Sequence, residues 1–408
     1  MPQGYTRAAM LSPSEALGLV LARVPEPKRV ENVPLAEARG RCLAAPAVSD
    51  VDLPPFEKSM MDGFACAHAS LAGGAPLRVA GESRAGAPFG LVLGAGECVE
   101  IFTGAELPRG SNTVEMIENV RREGLEVYFE RPVRPGQHVS HRGEILRVDQ
   151  VVYGPQKRLS AADLSVLASI GVDPVPVYAR PRISVLTTGD ELVAPREKPG
   201  RGEIREGNTF FLAAACQALG CSVVRVGIVP DDRLQLGLAF GAALEDSEVL
   251  ITTGGVSVGK YDLVGQAFEA LGVEPILHKV AIKPGKPIWF GMRAATSVFG
   301  LPGNPVSALL GFELFVRPAL VRLCGDDPAL EGERILRGRW LGKSEKGGDR
   351  QNNLPALVRQ AADGVSELEP LPFRGSADIL SAARAAALVI VPPGDEIRPG
   401  ELVSYRPL

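Results

Sequence analysis

The sequence has few of the features that assign a protein to a class at first sight. Aromatic residues make up 5% of its 408 residues, and its six cysteines include no C-x-x-C pair. The four histidines do not complete the spacing of a zinc site. These absences argue against a zinc module and a disulfide-stapled domain. We expect reduced cysteines that lie in the core of a cytoplasmic protein.

An excess of charge of one sign is also lacking. The 44 basic and 48 acidic residues leave a formal net charge of −4, so no positive excess is available to bind a nucleic-acid backbone. No stretch approaches the roughly 18 uninterrupted apolar residues of a membrane span, and no secretory signal is apparent in the first ten residues. We therefore expect no nucleic acid, no membrane and a cytoplasmic location.

Glycine and proline are plentiful, with 46 and 34 residues, which predicts many turns and short elements. Ser12 and Glu15 form a capping-box pattern with Pro13 at the first helical position, so a first helix is expected to run to about Val24. A second helix is predicted over 159–170, and the proline-containing segment 171–182 resembles a linker. Between these helices, short apolar runs predict a small β domain at 77–80, 91–93, 98–102 and 125–129.

From residue 183 onward, predicted strands alternate with predicted helices, which indicates an open parallel α/β sheet. The predicted strands are 183–186, 221–229 and 249–252, followed by apolar segments 288–290 and 297–300. The predicted helices are 208–219, 233–245, 263–271 and 306–323. After residue 328 the short alternating runs return, which predicts a C-terminal β domain.

Three unusual loops follow predicted strands of this sheet, where open α/β sheets bind ligands. Their glycines suit a phosphate cradle, and the loops are TTGDEL at 187–192, TTGGVSVGKYD at 252–262 and GLPGNPVS at 300–307. Asp190, Glu191 and Asp262 would repel a bare phosphate, so we expect Mg²⁺ between them and the phosphate oxygens. Packing alone explains the loop 252–262 poorly, because ten residues rich in Gly, Ser and Thr separate a strand from a helix.

Two further charged segments have an alternative structural explanation. Lys279, Lys283 and Lys286 could bind oxyanions, although three lysines around Pro and Gly are also typical of a solvated turn. Asp231 and Asp232 could be ligands, although they could equally begin the helix that follows at Arg233.

Upstream, two loops carry polar residues without a decisive pattern. Asp62-Gly63 could belong to a site or could form a tight turn between strands, and the loop 102–108 around Thr103 is similarly ambiguous. The four histidines suggest no catalytic dyad, and no general base can be identified.

Six motifs in this order resemble molybdopterin molybdenumtransferase, the MoeA and gephyrin E-domain family. They are SMMDGFA at 59–65, TGAELP at 103–108, TTGDEL at 187–192, GGVSVGKYD at 254–262, KPGKP at 283–287 and GLPGNPVS at 300–307. The resemblance implies an enzyme that takes adenylylated molybdopterin and molybdate, inserts the metal and releases AMP with a divalent cation. It also implies an elongated four-domain subunit that dimerises, with a third domain like the small molybdopterin-adenylylating proteins.

The resemblance also implies roles for individual residues. It marks as catalytic Asp62, Thr103, Glu191, Asp231, Asp262, Lys279 and Lys283. It adds to the loop residues a substrate-binding set of Gly254, Gly255, Ser257, Gly259, Lys286, Asn208, Pro302, Pro305 and Ser376. The expected Mg²⁺ ligands are Glu191, Asp231 and Asp262. Two departures are visible: Ile145 stands where an acidic residue is usual, so that Glu144 could substitute, and Glu206-Gly207 precede the retained Asn208.

The expected fold is therefore a multidomain α/β plus β protein. Its expected domains are a discontinuous mixed domain at 1–53 and 145–178, a small β domain at 54–144, the α/β domain at 179–325 and a β domain at 326–408. The expected partners are a second copy of the chain, the two small-molecule substrates and the molybdopterin adenylyltransferase. Two alternatives stay open, a non-catalytic dimeric scaffold of the same fold and the adenylylation step itself.

Overall fold

The computed structural model describes residues 10–255, 263–329 and 334–408. No helix within these ranges has both the length and the apolar character that a membrane span requires. Residues 10–178 contain two α-helices, α1 Pro13–Arg23 and α2 Ala161–Ser169. Their strands are β1 Val30–Val33, β2 Ala47–Val48, β3 Lys58–Ser59, β4 Gly63–Cys66, β5 Leu77–Ser83, β6 Glu97–Ile101, β7 Thr113–Met116, β8 Val120–Glu123, β9 Glu126–Phe129, β10 Val139–Ser140, β11 Val151–Tyr153 and β12 Val175–Tyr178. Short 3₁₀ turns are Leu35–Glu37, His68–Leu71 and Ile117–Asn119.

Residues 179–408 contain the remaining elements. The helices are α3 Asn208–Ala218, α4 Arg233–Asp246, α5 Leu263–Ala270, α6 Pro305–Gly311, α7 Arg317–Leu323 and α8 Ile379–Arg384, with a π-helical turn Phe312–Val316 between α6 and α7. The strands are β13 Arg182–Thr188, β14 Leu192–Val193, β15 Ile204–Arg205, β16 Ser222–Val229, β17 Val249–Thr253, β18 Glu274–His278, β19 Ile282–Lys283, β20 Trp289–Arg293, β21 Thr296–Leu301, β22 Leu336–Trp340, β23 Glu345–Lys346, β24 Gln351–Gln360, β25 Ser366–Pro370, β26 Ala387–Val391, β27 Glu396–Ile397 and β28 Leu402–Pro407.

The first helix begins as its sequence predicts. The Ser12 hydroxyl accepts from the Glu15 N–H, while the Glu15 carboxylate accepts from the Ser12 N–H at 2.8 Å, and Pro13 opens the helix. These contacts satisfy two N–H groups that a helix leaves without partners. The buried face of α1, with Ala16 and Val20, packs into the core of the α/β sheet.

Strands from both sides of the small β region pair with each other. β1 pairs antiparallel with β12, and β2 with β11, so residues 30–48 and 151–178 share the core that contains Leu43 and Val177. The interpretation of 171–182 as a linker is wrong, because β12 lies inside it. Val175 and Val177 are buried in alternation, and Pro176 is accommodated in a two-stranded ladder, where a proline disrupts little pairing.

The small β domain is confirmed as a six-stranded sheet in the order β7-β4-β6-β5-β9-β8, with β3 and β10 paired beside it. One of its predicted runs is wrong. Leu91 and Val92 are 69% and 70% exposed, and only an isolated bridge from Val92 to Arg109 replaces the expected strand. Leu91 and Val92 therefore lie on the surface of a loop, whereas Leu93 is buried.

The α/β sheet has the order β16-β13-β17-β21-β20-β18. The first four strands are parallel, as predicted, and two antiparallel strands extend the sheet at one side. One core, around Phe299, includes buried residues of α3, α6 and α7, and a second core, around Phe240 and Phe268, lies between the sheet and helices α4 and α5. The parallel strands therefore end together at one edge.

The C-terminal β domain is also confirmed. Its six-stranded sheet has the order β19-β24-β25-β22-β28-β26, and its core contains Trp340 and Tyr405. The first strand, β19, comes from the preceding α/β segment and pairs in parallel with β24. This pairing holds the lysine-rich loop against the C-terminal sheet.

Candidate active site

The carboxyl ends of β13, β17 and β21 lie side by side. Thr187 pairs with Thr253, which in turn pairs with Leu301. The Thr253 hydroxyl donates to the Thr187 hydroxyl at 2.8 Å, so the two buried side chains satisfy each other beneath the loops. The three predicted loops therefore begin from one fixed edge, as the open-sheet rule requires.

Glycine is needed where the loop after β17 meets the loop after β13. Gly254 has φ +87°, and a Cβ there would lie 2.3 Å from the Thr188 carbonyl oxygen. A Cβ at Gly255 would lie 2.4 Å from Val264 Cγ2. The Gly254 N–H also donates to the Leu301 carbonyl at 3.2 Å, which ties this loop to the end of β21. The predicted cradle residues Ser257 and Gly259 lie outside the described residues.

Carboxylates gather beside this edge, after β13 and β16. The Asp231 N–H donates to Asp190 Oδ1 at 3.1 Å. Partial burial raises the pKa of Asp231 above its usual range, and the neighbouring carboxylates of Asp190 and Glu191 raise it further. A nearby cation would favour the charged form of Asp231 and counter this shift.

Asp232 is not part of this cluster. Its carboxylate accepts from the N–H groups of Leu234 and Gln235 at 3.0 and 2.9 Å, so it caps α4. The helix-cap explanation therefore holds for Asp232, whereas Asp231 belongs to the carboxylate cluster with Asp190 and Glu191. Asp262 lies outside the described residues, and within the described ranges no three His, Cys, Asp or Glu side chains form a metal-holding group.

The loop after β21 is held by two other parts of the chain. The Asn208 side-chain amide donates to the Gly303 carbonyl at 2.7 Å, and the Val306 N–H donates to the Ser376 carbonyl at 3.0 Å. Pro305 occupies the first turn of α6, and Pro302 is buried just before it. Asn208, Pro302, Pro305 and Ser376 are thus brought to one loop.

Glu206 explains how α3 keeps Asn208 in place. Its buried carboxylate accepts from the Thr209 N–H at 2.7 Å and from the Thr209 hydroxyl at 2.6 Å. This arrangement anchors the first turn of α3 by a charge-assisted hydrogen bond. The residue that departs from the family pattern thus has a clear structural role.

The lysine loop lies against the start of α6. Lys279 has φ +75° and is half-buried, whereas Lys283 and Lys286 are exposed. A Cβ at Gly285 would lie 3.5 Å from the Ser307 carbonyl oxygen, so the two loops approach closely. The Val280 N–H donates to the Lys286 carbonyl at 3.0 Å and closes the loop. Positive charge therefore borders the loop that follows β21.

Arg350 is a residue that the sequence analysis missed. Its guanidinium donates to the Ile282 carbonyl at 3.2 Å, directly before Lys283. It adds a second kind of cation beside the lysine loop. No motif marks Arg350, because its position depends on the pairing of β19 with β24.

Asp62 and Thr103 form a separate polar pair in the small β domain. The N–H and the hydroxyl of Thr103 donate to Asp62 Oδ1 at 2.7 and 2.8 Å. The backbone bond, followed by the hydroxyl bond, holds the pKa of Asp62 below its usual range. Gly63 must be glycine, because a Cβ would lie 1.8 Å from the Glu115 carbonyl oxygen. Gly63 begins β4 without a positive φ, so a tight Asp-Gly turn is not what the glycine serves; it allows the close approach of β7, and Asp62 lies in the bend just before the strand.

Glu144 lies beside the same loops. It accepts hydrogen bonds from the Ser140 hydroxyl and, at 2.8 Å, from the His141 N–H, and these bonds in that order lower its pKa. Ser140 pairs with Lys58 on the strand that leads to Asp62. A carboxylate near Asp62 is thus present although Ile145 is apolar.

Models of three family regions match the chain in order. They are the MoeA N-terminal region, domains I and II, at residues 11–171, a probable molybdopterin binding domain at 184–322, and the MoeA C-terminal region, domain IV, at 337–408. Together they cover most of the sequence. They match both the small β domain with Asp62 and the sheet with Asp231.

Relatives match over similar lengths. The molybdopterin molybdenumtransferase of Haemophilus influenzae is 36% identical over 318 residues, covering 78% of each chain. That of Synechococcus elongatus is 36% identical over 98% of this chain and 100% of its own. The crystal structure of a molybdopterin biosynthesis MoeA protein from Pyrococcus horikoshii superposes with a TM-score of 0.83 and 27% identity, covering 98% of this chain and 100% of that chain. These matches confirm the resemblance: the chain belongs to the molybdopterin molybdenumtransferase family of enzymes.

Proposed function

We propose that this enzyme acts in molybdenum cofactor biosynthesis by inserting molybdate into adenylylated molybdopterin and releasing AMP. The observation that carries the proposal is the meeting of a glycine-rich edge, a carboxylate cluster and a lysine loop around the ends of β13, β17 and β21. A site that must hold a pyrophosphate and a second oxyanion needs backbone N–H donors, a metal cation and cationic side chains.

The carboxylates fit a Mg²⁺ ion. The Asp231 N–H donates to Asp190 Oδ1, and the pKa of Asp231 is raised first by desolvation and then by the charges of Asp190 and Glu191, an effect that a bound cation would offset. Oxygen donors are the ligands Mg²⁺ takes, usually one or two carboxylates with phosphate and water. We assign this role to Glu191, Asp231 and Asp262. When bound, the ion would neutralise charge on the pyrophosphate as the phosphoanhydride bond breaks.

The chain's own residues would position the two anionic substrates. We assign Lys279 and Lys283 to molybdate or phosphate oxygens, Lys286 and the glycine-rich loop with Gly254, Gly255, Ser257 and Gly259 to phosphates, and Asn208, Pro302, Pro305 and Ser376 to the walls of the pterin site. Holding two mutually repelling reactants in one pocket replaces an unfavourable encounter by a bound pair, which supplies a large part of the rate.

We also propose a homodimer in which Asp62 and Thr103 of one subunit complete the site of the other. These side chains hydrogen-bond to each other within the small β domain, and in the described parts of the chain no hydrogen bond joins either of them to the Asp231 cluster. A two-fold partner can deliver a loop that its own subunit cannot.

Other expectations accompany this proposal. We retain the four-part division at 1–53 with 145–178, 54–144, 179–325 and 326–408. The six free, buried cysteines support a reducing, cytoplasmic location. The molybdopterin adenylyltransferase is the partner that would supply the adenylylated substrate.

The test is AMP release from adenylylated molybdopterin by the purified full-length chain. We expect AMP only when molybdate and a divalent cation are both present, and we expect a chelator to stop the release. Omitting molybdate at the same Mg²⁺ concentration is the matched control. If no AMP is released under any metal condition, the scaffold alternative replaces this proposal.

A further inference from the structure

Cysteines gather at the end of the α/β sheet opposite the candidate active site. Cys221 precedes the first residue of β16, and Cys324 directly follows α7. Their sulfur atoms lie 3.8 Å apart, although 103 positions separate them in the sequence. The active-site loops, by contrast, follow the last residues of the strands. This thiol pair therefore has no place in the proposed reaction.

Both cysteines lie where the chain can adjust. A disulfide needs a sulfur separation of about 2.05 Å, so the two sulfurs must approach by about 1.7 Å. Cys221 follows Gly220, with φ +89°, and Cys324 precedes Gly325, with φ +87°. Cys324 thus lies at the end of α7 and Cys221 between a turn and β16, so each side chain can move without displacing a helix interior.

The surroundings favour the thiolate of Cys324. The hydrogen bond with Cys221 lowers the pKa of Cys324, and the guanidinium groups of Arg158 and Arg41 lower it further, against the opposing effect of burial. Arg158 is held in place by Asp326 at 2.6 Å. Burial first, and then the neighbouring Cys66, by comparison raise the pKa of Cys98 to about 12. The thiolate is the reactive form of cysteine, so the two sites differ in chemistry although both are buried.

A small cavity reaches Cys324. Its volume is about 10 Å³, close to that of one water molecule, and its walls include Cys42, Cys324 and Arg41. The exposed Arg180 also lines it, which connects the cavity to the surface. Cys221 does not line it. A small oxidant in this cavity therefore reaches Cys324 before Cys221. The other thiol in the walls, Cys42, is less reactive because burial raises its pKa to about 12.

We propose that Cys324 and Cys221 are a reversible redox pair that forms a disulfide when the protein meets hydrogen peroxide. The Cys324 thiolate attacks one peroxide oxygen, the O–O bond breaks, and the departing hydroxide takes up a proton to become water. The Cys221 sulfur then attacks the resulting sulfenic acid, the S–O bond breaks, and a second water leaves with the thiol proton. Two thiols lose two electrons in total, and one peroxide becomes two waters. A dithiol reductant reverses the bond.

The experiment uses the full-length, reduced protein. It is treated with hydrogen peroxide under native conditions, remaining thiols are alkylated, and the digest is analysed by mass spectrometry. We expect a peptide carrying Cys324 to become linked to the peptide carrying Cys221, with loss of the link after dithiothreitol. We expect the Cys324 thiol to disappear at least tenfold faster than that of Cys98, which serves as the buried reference within the same molecule.

Variants separate the roles of the two cysteines. Trypsin leaves Cys216 and Cys221 on one peptide, so Cys216→Ala must still form the link, whereas Cys221→Ala must abolish it and leave a Cys324 sulfenic acid that dimedone traps. A link to Cys216 or Cys42, a Cys324 that goes on to sulfinic acid while Cys221 stays free, or equal loss of Cys324 and Cys98 thiols would overturn the proposal. Each outcome is read from thiols and is independent of AMP release.

Discussion

Asp62 and Asp231 are both carboxylates that the family resemblance marks, yet their surroundings are opposite. Asp62 is exposed and receives two hydrogen bonds from Thr103, which lower its pKa. Asp231 is also exposed, but partial desolvation, followed by the neighbouring carboxylates of Asp190 and Glu191, raises its pKa. The first carboxylate is stable as an anion within its own loop. The second stands beside two further carboxylates, and a bound cation would offset their mutual repulsion. This difference agrees with the positioning role proposed for Asp62 and the metal-binding role proposed for Asp231.

The largest expected effect tests whether the small β domain with Asp62 and the α/β domain with Asp231 contribute to one site. Asp62→Ala and Asp262→Ala should each reduce AMP release to near zero in the proposed homodimer. When the two variants are unfolded together and reassembled, about half of the dimers are mixed, and each mixed dimer has one intact site, so about a quarter of wild-type activity should return.

The control for this experiment is each variant reassembled with itself, which should stay inactive. Native mass spectrometry of variants that differ in tag length shows whether mixed dimers form. If mixed dimers form and remain as inactive as their parents, the site is not shared between subunits, and the two regions act within one chain or separately.

The next largest effect concerns the lysine loop, which belongs to the same region as Asp231. Lys283→Ala should lower the rate of AMP release at low molybdate at least tenfold, which corresponds to about 1.4 kcal/mol at the transition state. The reason is the loss of a point charge for an oxyanion. Lys346→Ala, which removes an exposed lysine from β23 of the C-terminal sheet, is the matched control and should leave the rate unchanged. An unchanged rate in Lys283→Ala would remove its assigned role.

A smaller effect tests how tightly the loops of the α/β edge are packed. Gly254→Ala places a methyl group 2.3 Å from the Thr188 carbonyl at a positive φ, so overpacking and backbone strain of about 1–3 kcal/mol each should lower the melting temperature. Gly272→Ala has a similar φ of +75° and open space around its Cβ, so it measures the strain alone. If the two variants melt at the same temperature, the close approach of Gly254 to Thr188 does not matter for stability.

The fold was predictable where local signals and burial agree. The capping box at Ser12 placed α1, and the apolar periodicity placed α3 and α4 to within a residue or two. The segment 171–182 was misread because its prolines outweigh the buried alternation of Val175 and Val177. Pairing with β1, which is more than 140 residues away, decides its structure, and a local pattern contains no information about that partner.

The sequence predicted which loops of the candidate site lie together, but it did not predict every residue beside them. Loops after parallel strands must share an edge, so Glu191, Asp231 and Gly254 could be grouped from the sequence. Arg350 could not, because it reaches the lysine loop through the pairing of β24 with β19. The different roles of Asp231 and Asp232 could not be predicted from the sequence either. Only one of the two adjacent carboxylates can cap α4, and the structure shows that it is Asp232.

The smallest expected effect tests the contrast between Asp62 and Asp231 directly, and it is measured as a change in melting temperature rather than in turnover. The folded protein lowers the pKa of Asp62, so the ionised carboxylate stabilises the fold above the unfolded pKa of about 3.9, and this contribution is lost as the pH falls through the folded value. The folded protein raises the pKa of Asp231, so its ionised form costs stability above the folded pKa, and this cost is lost as the pH falls from the folded pKa to the unfolded pKa of about 3.9. At pH 7, Asp62→Asn should therefore melt below the wild type and Asp231→Asn above it. The difference for Asp231→Asn should shrink as the pH approaches 4, whereas the difference for Asp62→Asn should shrink only below pH 4.

The same melting temperatures measured with added Mg²⁺ give the decisive comparison. Added Mg²⁺ should raise the melting temperature of the wild type, because a ligand that binds only the folded state stabilises it. It should leave Asp231→Asn nearly unchanged, so the advantage of that variant at pH 7 should diminish, whereas the deficit of Asp62→Asn should persist at every Mg²⁺ concentration. If both variants shift in the same direction at pH 7, or if Mg²⁺ stabilises Asp231→Asn as much as the wild type, the carboxylate cluster does not lack positive charge and the contrast between the two aspartates is wrong.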